Sequence, residues 1–278
     1  MYLMSKIILF GANGMLGRYL HVYLQTKYEV IPVNRDQFDV LKSNVLDLDN
    51  LMIKIECDSN TVIVNCIGLI PQRCSINESS DNLYIRVNSE FPHLLNAMAQ
   101  KYKCHYIHIT TDCVYDGNKG QYTEQDLATE KNMYGKSKSL GEPNTATVIR
   151  TSIIGEEIKN KKSLIEWVKS QNGNTINGYD NHYWNGVTCL QLAKIIDQII
   201  KNNNFWIGVR HIFSPDSVSK YELVSMIVEV YKLNINVNKH TTDKLCNKTL
   251  STIYSTNNEF NISALSDQIN ELVHFKLT

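Results

Sequence analysis

A tyrosine and a lysine one helical turn apart, Tyr134 and Lys138, stand in the segment YGKSKSLGE. Side chains four apart share one face of a helix, so a phenol and an ammonium are offered to the same site. Such a pair suits proton delivery to a carbonyl. A free tyrosine titrates at about pH 10, and a neighbouring cation favours the phenolate, bringing the proton within reach of neutral pH. Upstream, HITTDCVYDG carries Thr111, Asp112 and Cys113 directly after the apolar Tyr106, Ile107 and Ile109, where residues emerge from the end of a buried strand. Thr111 is placed to hydrogen-bond a substrate oxygen. Cys113 is a thiol that becomes a base where a cation lies near.

These groups need elements to position them. Lys6 to Phe10 reads as a buried strand and runs straight into Gly11-Ala12-Asn13-Gly14-Met15-Leu16-Gly17, after which Leu16, Leu20, Tyr23 and Leu24 repeat at helical spacing. Glycines between a strand and a helix allow a tight turn and close approach of a pyrophosphate to the helix N-terminus. Gly11, Gly14 and Gly17, with Asn13, Met15 and Leu16, are therefore the expected dinucleotide turn. Tyr28 to Val33 is the second strand and delivers Asn34 and Arg35 to the adenosine ribose, where an arginine suits the 2′-phosphate of NADP. NADPH is the expected cofactor, with NADH the alternative because Asp36 adjoins Arg35. Asp39 and Val40 open a segment expected near adenine, and Leu46 to Ile55 reads as a helix.

Thr61 to Ile70 is rich in β-formers and reads as one strand. At its carboxyl end Cys66, Ile67 and Gly68 are expected beside the cofactor, where small residues let it approach closely. A loop from Pro71 to Ser80 carries Gln72 and Arg73, and a long helix is expected from about Leu83 to Tyr102. Asn88 falls on its buried face and needs partners, either the cofactor loops or a neighbouring strand. Thr147 to Ile154 is a further strand, with Arg150 expected to be paired structurally at the edge of the core. Strands alternating with helices over the first 155 residues give an α/β, doubly wound parallel sheet.

Beyond Gly155 the texture becomes charged and rich in asparagine, which divides the chain into a nucleotide-binding half, 1–155, and a smaller lobe, 156–278, interleaved with the last sheet elements. Ser163–Ser170, Thr188–Ile200 and Lys220–Tyr231 read as helices and Val209–Phe213 as a strand. Asn172–Trp184 reads as a loop, and Trp184 and Asn185 are expected near the substrate, the indole as a stacking surface.

The 278 residues contain 28 Lys and Arg against 28 Asp and Glu, without a basic stripe for nucleic acid, and a hydrophobic fraction of 43% supplies ample core. Seven cysteines at positions 57, 66, 74, 104, 113, 189 and 246 form no CxxC pair, and neither they nor the histidines have metal-ligand spacing. They read as reduced thiols of a cytoplasmic protein. The apolar N-terminus lacks a cleavage-like site, and no run is long enough to span a bilayer.

Taken together, GANGMLG, VNCIGLI, RVNSEFPHLLN, TTDCVYDG, YGKSK and VIRTSIIG resemble the extended short-chain dehydrogenase/reductases, and within them the dTDP-4-dehydrorhamnose reductase-like group. The resemblance spans nearly the whole chain. It implies a Rossmann-type fold, a nucleotide-diphospho-sugar bound between two lobes, and reduction of a 4-keto group by NADPH. Thr111, Tyr134 and Lys138 are then catalytic, and the resemblance brings with it a homodimer built on helices flanking the sheet. Cys113 departs from the simple reductases, which carry an aromatic residue after TTD, and from the 4,6-dehydratases, which carry a glutamate. It resembles bifunctional epimerase-reductases, in which a cysteine there works with a basic residue of the following lobe, here Lys162 with Lys161 as its rival. The expectation is a reductase that also epimerises C3, or C3 and C5. The alternatives are a reductase alone and a non-catalytic regulatory subunit of the same fold.

Overall fold

Short apolar runs buried on both faces assemble most readily as a parallel sheet covered by helices. In the computed structural model, which describes residues 6–73, 78–159 and 161–277, the strands are β1 (Lys6–Phe10), β2 (Glu29–Val33), β3 (Thr61–Asn65), β4 (His105–Thr111) and β5 (Thr147–Thr151). They lie in the order β2-β1-β3-β4-β5, and a sixth strand, Gly208–His211, joins beside β5. Every pairing among the six is parallel. The sheet of the first half thus takes its last strand from the second half of the chain.

Alternation along β1 divides two cores. Ile7 and Leu9 pack with Leu16, Leu20 and Leu24 of helix α1 (Met15–Leu24) and with helix Cys189–Asn202. Ile8 and Phe10 face the other way, against Leu48 and Met52 of α2 (Val45–Lys54). A fully buried aliphatic side chain stabilises by roughly 1.5–3 kcal/mol, so a one-residue slip of β1 would exchange both faces at once. Strand order reverses between β1 and β3, and the crevice outside that switch point is where open α/β sheets take ligands.

Three elements differ from the sequence expectation. The strand expected over Thr61–Ile70 ends at Asn65, because the Ile67 N–H donates to Asn65 Oδ1 at 3.0 Å and turns the chain out of the sheet. The single helix expected from Leu83 is α3 (Glu78–Tyr84), a π-turn at Ile85–Glu90, and α4 (Phe91–Tyr102). Pro92 at the start of α4 has no N–H to give the Asn88 carbonyl, and the Phe91 N–H reaches back to Arg86 O. The expected loop Asn172–Trp184 contains strands Thr175–Tyr179 and His182–Trp184, whose parallel partners, Asn236–His240 and Cys246–Asn247, lie far downstream.

Arg150 is structural, as expected. Its Nε donates to Glu142 Oε1 at 3.0 Å, it also bonds Glu142 Oε2 and Tyr115, and both charged side chains are 7% exposed. No helix among the described residues is long and apolar enough to cross a membrane. Removing one member of a buried pair strands the other charge, so Glu142→Gln is expected to lower the unfolding free energy by roughly 3–5 kcal/mol in urea titrations.

Candidate active site

The site begins at the carboxyl ends of β1 and β3. Gly11 has φ +81°, a conformation that disfavours side chains. A Cβ on Gly17 would lie 2.1 Å from Gly11 O, so turn and helix touch backbone to backbone. Gly14 caps α1 without a side-chain hydrogen bond, and no acidic residue occupies the first turn, leaving the N–H groups of that turn available to an anion. Asn13 is exposed, and its Nδ2 donates to Asn34 Oδ1 at 2.7 Å, tying the turn to the end of β2 beside exposed Arg35. Met15 is half-buried on this crevice, whereas Leu16 belongs to the core. Val40 also packs into core, its carbonyl accepting from Arg86 Nε at 3.0 Å, and Asp39 Oδ1 accepts from the Leu41 N–H at 3.0 Å.

Helix α5 (Met133–Leu140) carries Tyr134 and Lys138, as the spacing predicts, and Asn132 caps it by accepting from the Gly135 N–H at 2.8 Å. A Cβ on Gly141 would lie 1.8 Å from Asn88 O, so the helix end rests directly on the π-turn. Asn88 is fully buried and uses both ends of its amide: Oδ1 accepts from Leu69 N–H at 2.8 Å, and Nδ2 donates to Leu69 O at 3.0 Å and Ser137 Oγ at 3.1 Å. It therefore joins the loop after β3 to the helix bearing the Tyr–Lys pair. In that loop a Cβ on Gly68 would stand 3.8 Å from Lys138 Nζ, while burial pushes the Cys66 thiol well up.

Tyr134 is half-buried beside Thr111, whose hydroxyl favours the phenolate. Thr111 Oγ1 also donates to Asp112 Oδ1 at 3.1 Å and accepts from the Cys113 N–H at 3.1 Å. Lys138 Nζ donates to Ile109 O at 3.0 Å. Burial lowers the lysine to about 8, with Glu142 opposing. The expected depression of the phenol is absent here: burial, and after it the neighbouring Cys113, hold Tyr134 above its ordinary value. Desolvation of the phenolate outweighs the help of the Thr111 hydroxyl, so Tyr134 is protonated throughout the neutral range.

Cys113 is likewise pushed up to about 12, by burial first and then by Asp112, while Lys248 pulls it down. Asp112 is raised by burial, and Lys220 is the foremost charge opposing that rise. The cations set against Asp112 and Cys113 are thus Lys220 and Lys248, which the sequence reading missed. Lys162, expected there, is exposed, with its backbone N–H donating to Glu157 Oε2 at 2.6 Å, and Lys161 is exposed beside it with φ +46°. Trp184 is buried, with Lys220 Nζ 5.1 Å from its ring centre. Asn185 corrects another expectation. Its amide donates to Leu250 O and accepts from Leu250 N–H, both at 2.8 Å, so it holds the lobe together rather than facing a substrate. The described residues contain no group of three or more His, Cys, Asp or Glu able to hold a metal ion.

The lowered Lys138 pKa has a consequence for stability. Below about 8 both folded and unfolded chains carry this charge, and the folded protein bears the cost of burying it. Above about 8 the unfolded chain binds more protons, and stability from this group rises towards the ordinary lysine value. Lys138→Met is therefore expected to unfold with roughly 2 kcal/mol more free energy than wild type at neutral pH, after allowing for the lost hydrogen bond. Urea titrations at increasing pH are expected to show this advantage shrinking above about 8.

Similarity to known proteins agrees with this geometry. A dTDP-4-keto-6-deoxy-D-glucose reductase of Streptomyces niveus is 26% identical over 231 residues, covering 78% of this chain and 75% of that protein. The methionine adenosyltransferase 2 subunit beta of Rattus norvegicus is 26% identical over 252 residues, covering 82% of this chain and 72% of that protein. The crystal structure of a dTDP-4-dehydrorhamnose reductase from Bacillus anthracis in complex with NADP superposes with a TM-score of 0.81 at 20% identity, over 97% of this chain and 98% of that one, and so shares its fold. Residues 4–262 match the RmlD substrate binding domain, and the chain belongs to that family.

Proposed function

We propose that this chain is an NADPH-dependent reductase of the 4-keto group of a nucleotide-diphospho-4-keto-6-deoxyhexose. One observation carries the reading: a protonated, half-buried Tyr134 beside Thr111, with the Lys138 ammonium one helical turn along the same helix. The N-terminus of α1, free of a side-chain cap, the glycine turn and the side-chain-free Gly68 fit a dinucleotide, and Arg35 just beyond β2 suits a 2′-phosphate. NADPH, when bound, supplies the hydride. Tyr134 donates its proton to the carbonyl oxygen, Thr111 orients that oxygen, and the Lys138 charge stabilises the phenolate left behind. Relatives named as reductases of dTDP-linked 4-keto and 4-dehydro sugars support the substrate class. The free thiols among the described residues support a reducing, cytoplasmic setting.

A second activity, epimerisation beside the 4-keto group, is favoured by Cys113 standing next to Thr111 under the charges of Lys248 and Lys220. With its thiol protonated, Cys113 suits returning a proton to carbon more than removing one. A regulatory role without turnover is favoured by the relatives named methionine adenosyltransferase 2 subunit beta.

Incubation with dTDP-4-keto-6-deoxyglucose is expected to consume NADPH, and Tyr134→Phe to lower kcat by roughly 10²–10⁴-fold. Near-full turnover by Tyr134→Phe would remove the acid from the mechanism. The wild-type rate is expected to fall as pH rises through about 8, where Lys138 loses its proton. In deuterated water without NADPH, label at C3 or C5 that vanishes in Cys113→Ser marks epimerisation, and its absence where reduction proceeds leaves a reductase alone. A regulatory subunit would show neither reaction.

A further inference from the structure

The second lobe lays a small sheet over the end of β4. Strand Val218–Ser219 pairs antiparallel with His182–Trp184, which pairs parallel with Cys246–Asn247. Lys220 follows the first of these strands and Lys248 the last, and both ammonium charges act on Asp112 and Cys113. The TTDCVYDG segment is packed closely against this sheet: a Cβ on Gly117 would lie 2.9 Å from Cys246 Sγ and 3.2 Å from Lys248 Cγ.

The two lysines are not equivalent. Lys248 Nζ is paired with Glu130 Oε2 at 3.0 Å. Lys220 makes no ion pair or hydrogen bond to a carboxylate among the described residues, and its ammonium lies 5.1 Å from the Trp184 ring centre. Burial pulls its pKa down. It also occupies the first position of helix Lys220–Val230, next to the Ser219 cap, the end at which the helix dipole opposes a cation. The dipole and the lack of a bonded counter-ion work against a charge here, with Asp112 the foremost charge in its favour, and a ligand anion would supply the missing charge-assisted bond.

We infer that Lys220 is a substrate-binding residue whose ammonium takes a phosphoryl oxygen of the nucleotide-linked substrate, with the Trp184 ring beside it and Lys248 completing a cationic wall opposite Asp112 and Cys113. This rests on the substrate class proposed above and adds to it the residue that recognises the charged part of that substrate. Sugar and nucleoside are neutral, so the diphosphate is the group this wall selects.

The test is calorimetric binding of dTDP, UDP, GDP, thymidine, inorganic phosphate and NADP⁺ to wild type, Lys220→Met, Lys220→Arg and Lys162→Met, each first checked for a cooperative thermal transition. Lys220→Met is expected to bind the preferred nucleoside diphosphate roughly 10- to 100-fold more weakly, the loss of one charge-assisted contact. Thymidine and NADP⁺ binding are expected to be unmoved by that change, Lys220→Arg to recover most of the affinity, and Lys162→Met to match wild type. Wild-type diphosphate affinity in Lys220→Met would overturn the assignment, as would an equal loss for thymidine, which makes the lysine a packing element. A loss confined to NADP⁺ would overturn it by placing the lysine at the cofactor, and a loss for inorganic phosphate alone by leaving only an adventitious ion. If wild type binds NADP⁺ but no nucleoside diphosphate, the nucleotide-sugar reading itself fails, an outcome separate from a failure of Lys220 alone.

Discussion

A lysine ammonium buried at the carboxyl end of a parallel sheet is the constraint around which the site is built. Lys138 is 5% exposed and donates to the carbonyl of Ile109 in β4. Such a charge persists only where the surrounding backbone is rigid enough to keep its partner in place. Rigidity comes from contacts with no slack: Gly141 against the Asn88 carbonyl, Asn88 to Leu69 and Ser137, and Ser89 Oγ to Ser137 O at 2.7 Å. The π-turn created where Pro92 withholds its N–H is thereby coupled to the helix that carries Tyr134. The loop after β3 and the helix bearing Tyr134 and Lys138 are held as one unit.

Burial also assigns the protonation states. Desolvation is the leading influence on Tyr134, Cys113 and Asp112, and it raises all three, while it lowers Lys138 and Lys220. Every group is moved towards its neutral form. A floor whose tyrosine keeps its proton and whose lysine is readily neutralised suits giving a proton to an oxygen acceptor. The same desolvation makes a thiolate at Cys113 unfavourable, which is why reduction stands on firmer physical ground than epimerisation. Lys248 opposes that effect without overcoming it, since Glu130 already shares its charge.

Much of the first half was legible because its signals are local. The glycine turn, the strand before it and the helix after it lie within one short stretch, and the Tyr134–Lys138 spacing needs only a helix to have meaning. Asn88 was recognisable as a polar residue on a buried helical face. Where sequence reading failed, the cause was long-range. Asn172–Trp184 has loop composition, yet it forms strands because Asn236–His240 and Cys246–Asn247 come alongside. Asn185 looked like a substrate contact beside an indole, and its amide is instead used up by Leu250, a partner that adjacent residues do not announce.

The sequence by itself determined the α/β alternation, the glycine turn and the placing of the tyrosine and lysine on one helix after the strand that ends in Thr111, since each depends on residues a few positions apart and on backbone preferences that act locally. Only the tertiary structure decided which cations face Cys113. Lys162 sits in a basic run and is exposed, whereas Lys220 and Lys248 are scattered in sequence and reach the end of β4 because a three-stranded sheet assembled from three distant segments carries them there. Burial is a property of that assembled neighbourhood, so the direction in which each side chain titrates was set only when the second lobe closed over the first.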